Sequence, residues 1–243
     1  MTVTWEECGW QELTPGVGRC RLPGWDCTAG LVVGDGAALV IDAGSSLREG
    51  ARLRAEACRL LGGARVTHLA LTHPHFDHVF GAAAFAGVEV FGAVGIDGVL
   101  SRDHEALRAD AVHHGLPPAD ATEAADLLVR PRHLVSGEWT LGLGGDVRVL
   151  LANVGPGHTG HDLAVLVSGG AQEVVFCGDL VEESGEPQAG PDAIPSRWPA
   201  ALDRLLGLGG EDALYVPGHG AVVDAAFVRA QRDALARRFG VSD

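Results

Sequence analysis

The sequence predicts an α/β fold in which two β-sheets pack face to face with helices outside. Three observations carry this expectation. In the first half, short β-prone apolar runs alternate with segments of helical period. In the second half, strand-like runs are separated by turns such as Ser168-Gly169-Gly170, the mark of antiparallel hairpins. Several runs in each half end in a polar residue able to bind a metal, and open α/β sheets build their sites at the carboxyl ends of strands. A chain of 243 residues fits one domain, 1–243, with a full core. No solenoid period runs through it.

The elements follow in order. Residues 1–30 are rich in Trp, Gly and Cys, and strands are expected at about 16–22 and 31–33. Trp5, Trp10 and Trp25 are expected in the core or covering the sheet, with a wall of the substrate site as the alternative. Residues 37–42 form a strong strand ending at Asp42. Leu47, Leu53, Ala57, Leu60 and Leu61 recur at helical period, and Gly62-Gly63 stops that helix. Residues 66–71 are a buried strand, 79–85 a short helix and 88–91 another strand. Residues 94–114 are a polar helical region whose His104, His113 and His114 are expected on a solvated face, with one of them lining the substrate entrance as the alternative. Leu116-Pro117-Pro118 breaks the chain before an acidic stretch to Asp126. Strands are then expected at 129–135 and 147–151, joined by a Gly-rich turn, and at 163–167 and 173–177. Residues 181–199, with four prolines, form a long loop beside Asp179. Such loops often set specificity, which makes Ser196, Arg197 and Trp198 candidate substrate contacts; Ser196 would otherwise cap a helix over 197–206. A last helix spans 225–239.

The chemistry concentrates in Thr72-His73-Pro74-His75-Phe76-Asp77-His78. Three imidazoles and a carboxylate in the pattern His-x-His-x-Asp-His are more ligand capacity than a structural stretch requires. Zinc normally takes about four N, O or S ligands, so the loop needs partners from elsewhere. His158, Asp179 and His219 supply them, each after an apolar run and a glycine that frees the backbone. Cys177, two residues before Asp179, would share its face in a regular strand, though a small buried hydrophobe is the commoner role. The chain has no Ser-His-Asp signature, no glycine-rich phosphate loop and no Cys-x-x-Cys pair.

This set, from Asp42 to His219, resembles the metallo-β-lactamase-fold hydrolases. The resemblance implies an αββα sandwich of two mixed β-sheets. It implies that His73, His75 and His158 hold one metal, that Asp77, His78 and His219 hold a second, and that Asp179 bridges them. Asp42 would support the metal loop from behind. An Asp at the bridging position looks more like the glyoxalase II, lactonase and phosphodiesterase branches than like true β-lactamases. Only 24 residues follow His219, short of the helical C-terminal domain of the longer glyoxalase II enzymes. The implied activity is hydrolysis of an ester-like acyl bond (thioester, lactone or strained amide) by a hydroxide bridging two zinc ions, with Asp77 as the catalytic residue that orients it and carries its proton. Iron or manganese is the alternative metal. An iron-dependent oxygenase resembling the persulfide dioxygenases, or a phosphodiesterase, is the alternative activity.

Composition bounds the partners. Hydrophobic residues make up 47% and charged residues 21%, as in ordinary soluble proteins. No apolar run approaches a membrane span, and Met1 to Glu7 has neither the basic nor the apolar region of a secretory leader. Five cysteines, Cys8, Cys20, Cys27, Cys58 and Cys177, at unpatterned spacings suit free thiols in a reducing cytoplasm. The formal net charge is −14 and every basic residue is arginine. That balance disfavours a nucleic acid or a membrane surface and leaves a small-molecule substrate. Two zinc ions would nevertheless make the pocket itself electropositive. Nothing in the sequence defines an oligomeric state.

Overall fold

The computed structural model describes residues 3–241; Met1 and Thr2, which open the N-terminal segment read above, and Ser242 and Asp243 lie outside the described residues. The first sheet holds β1 (Gln11–Thr14), β2 (Val17–Arg21), β3 (Thr28–Val33), β4 (Ala38–Ile41), β5 (His68–Ala70), β6 (Glu89–Ala93) and β7 (His133–Val135), in that spatial order. Its hairpin-linked part, β1 to β4, is antiparallel, and β4 to β7 run parallel. The second sheet holds β8 (Glu138–Gly142), β9 (Arg148–Ala152), β10 (Ala164–Ser168), β11 (Val174–Glu182) and β12 (Leu214–His219), ordered β12-β11-β10-β9-β8. Only β11 and β12 are parallel there, with α6 (Trp198–Gly209) as the crossover between them.

Period-two alternation sorts the core into three layers. Leu39 and Ile41 of β4 join Val149, Leu151, Val165 and Phe176 between the sheets. Val40, between them in sequence, faces α1 (Leu47–Leu60) with Leu53 and Ala57. On the far side Val175, Tyr215 and Trp198 pack with Leu202, Val228 and Leu235 of α6 and α7 (Ala225–Phe239). The result is helix, sheet, sheet, helix. Each fully buried Leu, Ile or Phe contributes about 1.5–3 kcal/mol of burial free energy, so the layers hold the parallel strand ends in register.

Several boundaries differ from those expected. The 94–114 region is two helices, α3 (Ile96–Arg102) and α4 (His104–His113), broken at Asp103. The acidic stretch after Pro117 is α5 (Pro118–Asp126); Pro118 needs no N–H in the first turn, and Ala121, Ala124 and Ala125 are buried. The expected short helix at 79–85 is α2 (Phe76–Val79) followed by a 3-10 turn at Ala82–Phe85. Strands β1 and β8 escaped the sequence reading. Ser196 does not cap α6: Arg197 holds the cap position, and no side-chain cap bond forms.

Candidate metal centre

The His-rich loop begins where β5 ends, and a neighbouring strand anchors it. Asp42, just past β4, has a left-handed backbone (φ 58°) that turns its carboxylate under the loop. That carboxylate accepts the Thr72 N–H at 2.8 Å, the Thr72 hydroxyl at 2.7 Å and His78 Nδ1 at 2.8 Å. The chain then enters α2, which carries Asp77 and His78 into the interior. His158 lies on the loop after β9, which the buried Asp162 carboxylate fixes by accepting Gly157 N–H at 2.9 Å, Thr159 N–H at 3.0 Å and the Thr159 hydroxyl at 2.7 Å. Burial pushes Asp162 up to about 7, against the pull of these donors.

Asp179 lies within β11, not after its end. The register slips at Gly178, whose left-handed backbone (φ 53°) breaks the alternation. Cys177 therefore faces α6 and α7 among apolar residues, while Asp179 turns toward the histidines. Glycine serves a different purpose at Gly157 and Gly218, which keep ordinary backbone angles. A Cβ on Gly157 would meet Leu180 Cδ2 at 2.7 Å, and one on Gly218 would meet Asp179 Oδ1 at 1.8 Å. Space, more than backbone freedom, is what these two supply.

Each of the five imidazoles has a hydrogen-bond acceptor on its outer nitrogen. His78 Nδ1 faces Asp42; His219 Nδ1 faces Trp25 O at 2.6 Å; His158 Nδ1 faces Gln188 O at 3.0 Å. His75 Nε2 faces Asp192 Oδ2 at 3.1 Å, and His73 Nδ1 faces Thr72 Oγ1 at 3.0 Å. The Thr72 hydroxyl donates to Asp42, so its oxygen accepts from His73. These partners place the N–H on the outer side of every ring and leave five inner lone pairs converging. His75 Nδ1 and His158 Nε2 meet at 2.9 Å. His78 Nε2 stands 3.1 Å from Asp179 Oδ1. Facing acceptors at such distances repel unless a cation, either a proton or a metal ion, lies between them. His73 Nε2 and Asp179 Oδ1 are buried without a hydrogen-bond partner in the protein.

The wider spacings also suit a metal ion. Ligands at about 2.0–2.1 Å around tetrahedral zinc stand about 3.3 Å apart. Asp179 Oδ2 lies 3.6 Å from His73 Nε2, 3.4 Å from His158 Nε2 and 3.2 Å from His219 Nε2. Asp77 Oδ2 lies 3.3 Å from His219 Nε2 and 3.7 Å from His78 Nε2. His73, His75, His158 and Asp179 could hold one ion and His78, His219 and Asp179 another, while Asp77 groups with His78 and Cys27. The carboxylates draw positive charge into this space: against burial, Asp179 and the other acidic neighbours raise His78 and His219, and these imidazoles in turn hold the Asp179 carboxyl well below the usual range, so a cation, proton or metal ion, belongs there. Burial and the neighbouring His75 and His78 take His158 down to about 4, a neutral ligand at physiological pH, although Asp179 pulls the other way. Cys27 packs beneath this group: its thiol donates to Asp77 O at 3.2 Å, and burial pushes it up to about 11, leaving it protonated.

The metallo-beta-lactamase superfamily model matches residues 22–219, which contain all of these side chains. The chain belongs to the metallo-beta-lactamase superfamily. Among solved structures, TMB-1, described in terms of substrate and inhibitor binding, superposes with a TM-score of 0.71 at 19% identity, covering 95% of this chain and 97% of that one. A metallo-beta-lactamase from Hirschia baltica superposes with a TM-score of 0.66 at 16% identity, covering 93% and 96%. These likenesses share the fold. No curated protein sequence matches the chain significantly.

On this superfamily scaffold a cavity of about 710 Å³ opens over the ligands, bounded by Trp25, Phe76, Val99, Leu107, His114 and residues 188–192. Trp25 and His114 thus wall the cavity, the alternative to sheet cover and a solvated face in the sequence; His114 stacks on Phe76 with centroids 5.9 Å apart. Ser196, Arg197 and Trp198 do not line it. Trp198 is fully buried behind His158, its Nε1 donating to Leu180 O at 3.0 Å. Asp162, Gln188 and Asp192 were missed. Thr159-x-x-Asp162 carried a turn signal, whereas nothing local marks Asp192 as a partner of His75. No described helix is long and apolar enough to cross a membrane.

Proposed function

We propose that the chain is a dinuclear zinc-dependent hydrolase that cleaves an ester-like acyl bond, a thioester, lactone or strained amide, of a small molecule. One observation carries the dinuclear reading: Asp179 is shared, its Oδ2 facing His73, His158 and His219 while its Oδ1 faces His78. His73, His75, His158 and Asp179 would hold one ion, and Asp77, His78, His219 and Asp179 the other. When bound, such ions supply an activated water at neutral pH and polarise a carbonyl.

The protein's own groups do the rest. Asp77 lines the cavity beside His219 and is the group that orients the attacking water and carries its proton. Burial opposes its ionisation, but His78 and His219 hold its carboxyl below the usual range, so it stands as a carboxylate. Trp25, Phe76, Val99 and Leu107 offer apolar cover for an acyl group and exclude bulk water. No arginine lines the cavity, which favours acyl over phosphodiester substrates, because phosphate oxygens call for cationic partners. The same absence, with the net charge of −14, fits a small molecule better than nucleic acid.

The test is metal content per chain after purification without added metal, followed by a panel of thioesters, lactones, β-lactams and phosphodiesters. About two zinc ions with acyl turnover is the expected result. A single iron would overturn it and move the assay to oxygen consumption with persulfides.

A further inference from the structure

The outer partners of the five histidines come from different parts of the molecule. His78 donates to the buried Asp42, and His73 reaches the same carboxylate through Thr72. His219 donates to the backbone of Trp25. The other two rings lean on a single surface segment, residues 183–197 between β11 and α6: Asp192 accepts from His75, and Gln188 O from His158. The segment is tied down nearby, by Ile194 N–H to Gly157 O at 2.9 Å, Gln188 N–H to Glu182 Oε2 at 3.2 Å and Arg238 Nη1 to Pro187 O at 2.8 Å. The Asp192 side chain is 47% exposed, so core packing does not hold it, and His75 at 22% is the most exposed of the five rings.

We infer that residues 183–197 act as a strap whose seating on His75 and His158 sets the affinity of one metal ion and not of the other, with Asp192 as the positioning residue. The inference rests on the dinuclear reading above. A ring held by its outer hydrogen bond surrenders less rotational freedom on capturing an ion, and a carboxylate partner makes the inner nitrogen a stronger donor. Coupling is reciprocal, so an ion bound by His75 and His158 must in turn hold the strap down. The strap also walls the cavity through residues 188–192, so loading that ion and shaping the substrate's surroundings become one event.

The experiment is zinc titration against a competing chelator for the wild type, Asp192→Ala, Asp192→Asn and the exposed control Ser196→Ala, with amide hydrogen exchange of residues 183–197 in metal-free and zinc-loaded protein. Asp192→Ala should weaken one of two binding steps by about 10–100-fold and leave the other within about twofold, the scale of lost carboxylate support to a ligand histidine. Asp192→Asn keeps an acceptor oxygen and should recover most of that loss; Ser196→Ala should move neither step. Zinc should slow exchange across 183–197 in the wild type and less so in Asp192→Ala. Two unchanged steps in Asp192→Ala, or two equally weakened ones, overturn the inference while leaving the dinuclear reading intact. A wild type that takes up a single ion overturns the reading itself, and the strap with it.

Discussion

The ligands on the two sides of Asp179 rest on different supports. His78 is fully buried and held by Asp42 at the end of a central parallel strand, and His219 ends β12 against the Trp25 turn. On the other side, His73 shares the Asp42 anchor, but His75 and His158 take their outer bonds from an exposed loop. One set is fixed by the sheets; the other is completed by a segment that the cores do not pack against. The difference teaches that equal-looking ligand counts need not mean equal rigidity. Preorganisation comes from whatever stands behind the ligand.

The largest effect should follow from removing what the two sets share. Asp179→Asn takes away the anionic bridge, and we expect metal content to fall to one ion or fewer per chain and kcat/KM on the best acyl substrate to fall by about 10³-fold or more, the upper end for loss of a single stabilising group. Two ions and full turnover in this variant would break the comparison outright. Next comes Gly218→Ala, whose Cβ would sit 1.8 Å from Asp179 Oδ1 and must displace it. A shift near 1 Å costs on the order of 10²-fold in rate, and metal content should drop less than in Asp179→Asn. Asp42→Asn sharpens the comparison: asparagine tolerates the left-handed backbone but replaces one of the two accepting oxygens with an NH2 that only donates. It should weaken chiefly the zinc-binding step that Asp192→Ala spares, by about 10–100-fold, and the other step less, through His73. If Asp42→Asn leaves the step that Asp192→Ala spares unchanged, the division of supports is wrong.

How much of this was legible in advance follows from the range of each signal. Helix α7 matches its expected bounds of 225–239, and α1 ends one residue before the 61 expected, because periodicity and the stop at Gly62-Gly63 are local features. Strand β8 hid because Glu138, Trp139 and Thr140 are exposed, leaving no alternation to read. Cys177 is the small buried hydrophobe expected of it; the face it would share with Asp179 in a regular strand is lost because the slip at Gly178 depends on pairing with β12.

The sequence by itself determined the chemistry available: His73, His75, Asp77 and His78 crowd one loop, and His158, Asp179 and His219 recur after apolar runs. It also determined the alternation that makes two sheets with helices outside. Only the tertiary structure decided which nitrogen of four of the rings faces inward, since that is set by acceptors far away in the chain, whereas His73 leans on its neighbour Thr72. Asp42 lies 36 residues from His78, and Asp192 lies 117 from His75. Partners so distant leave no periodic trace; they meet because parallel strands end side by side and the loop after β11 folds back over them.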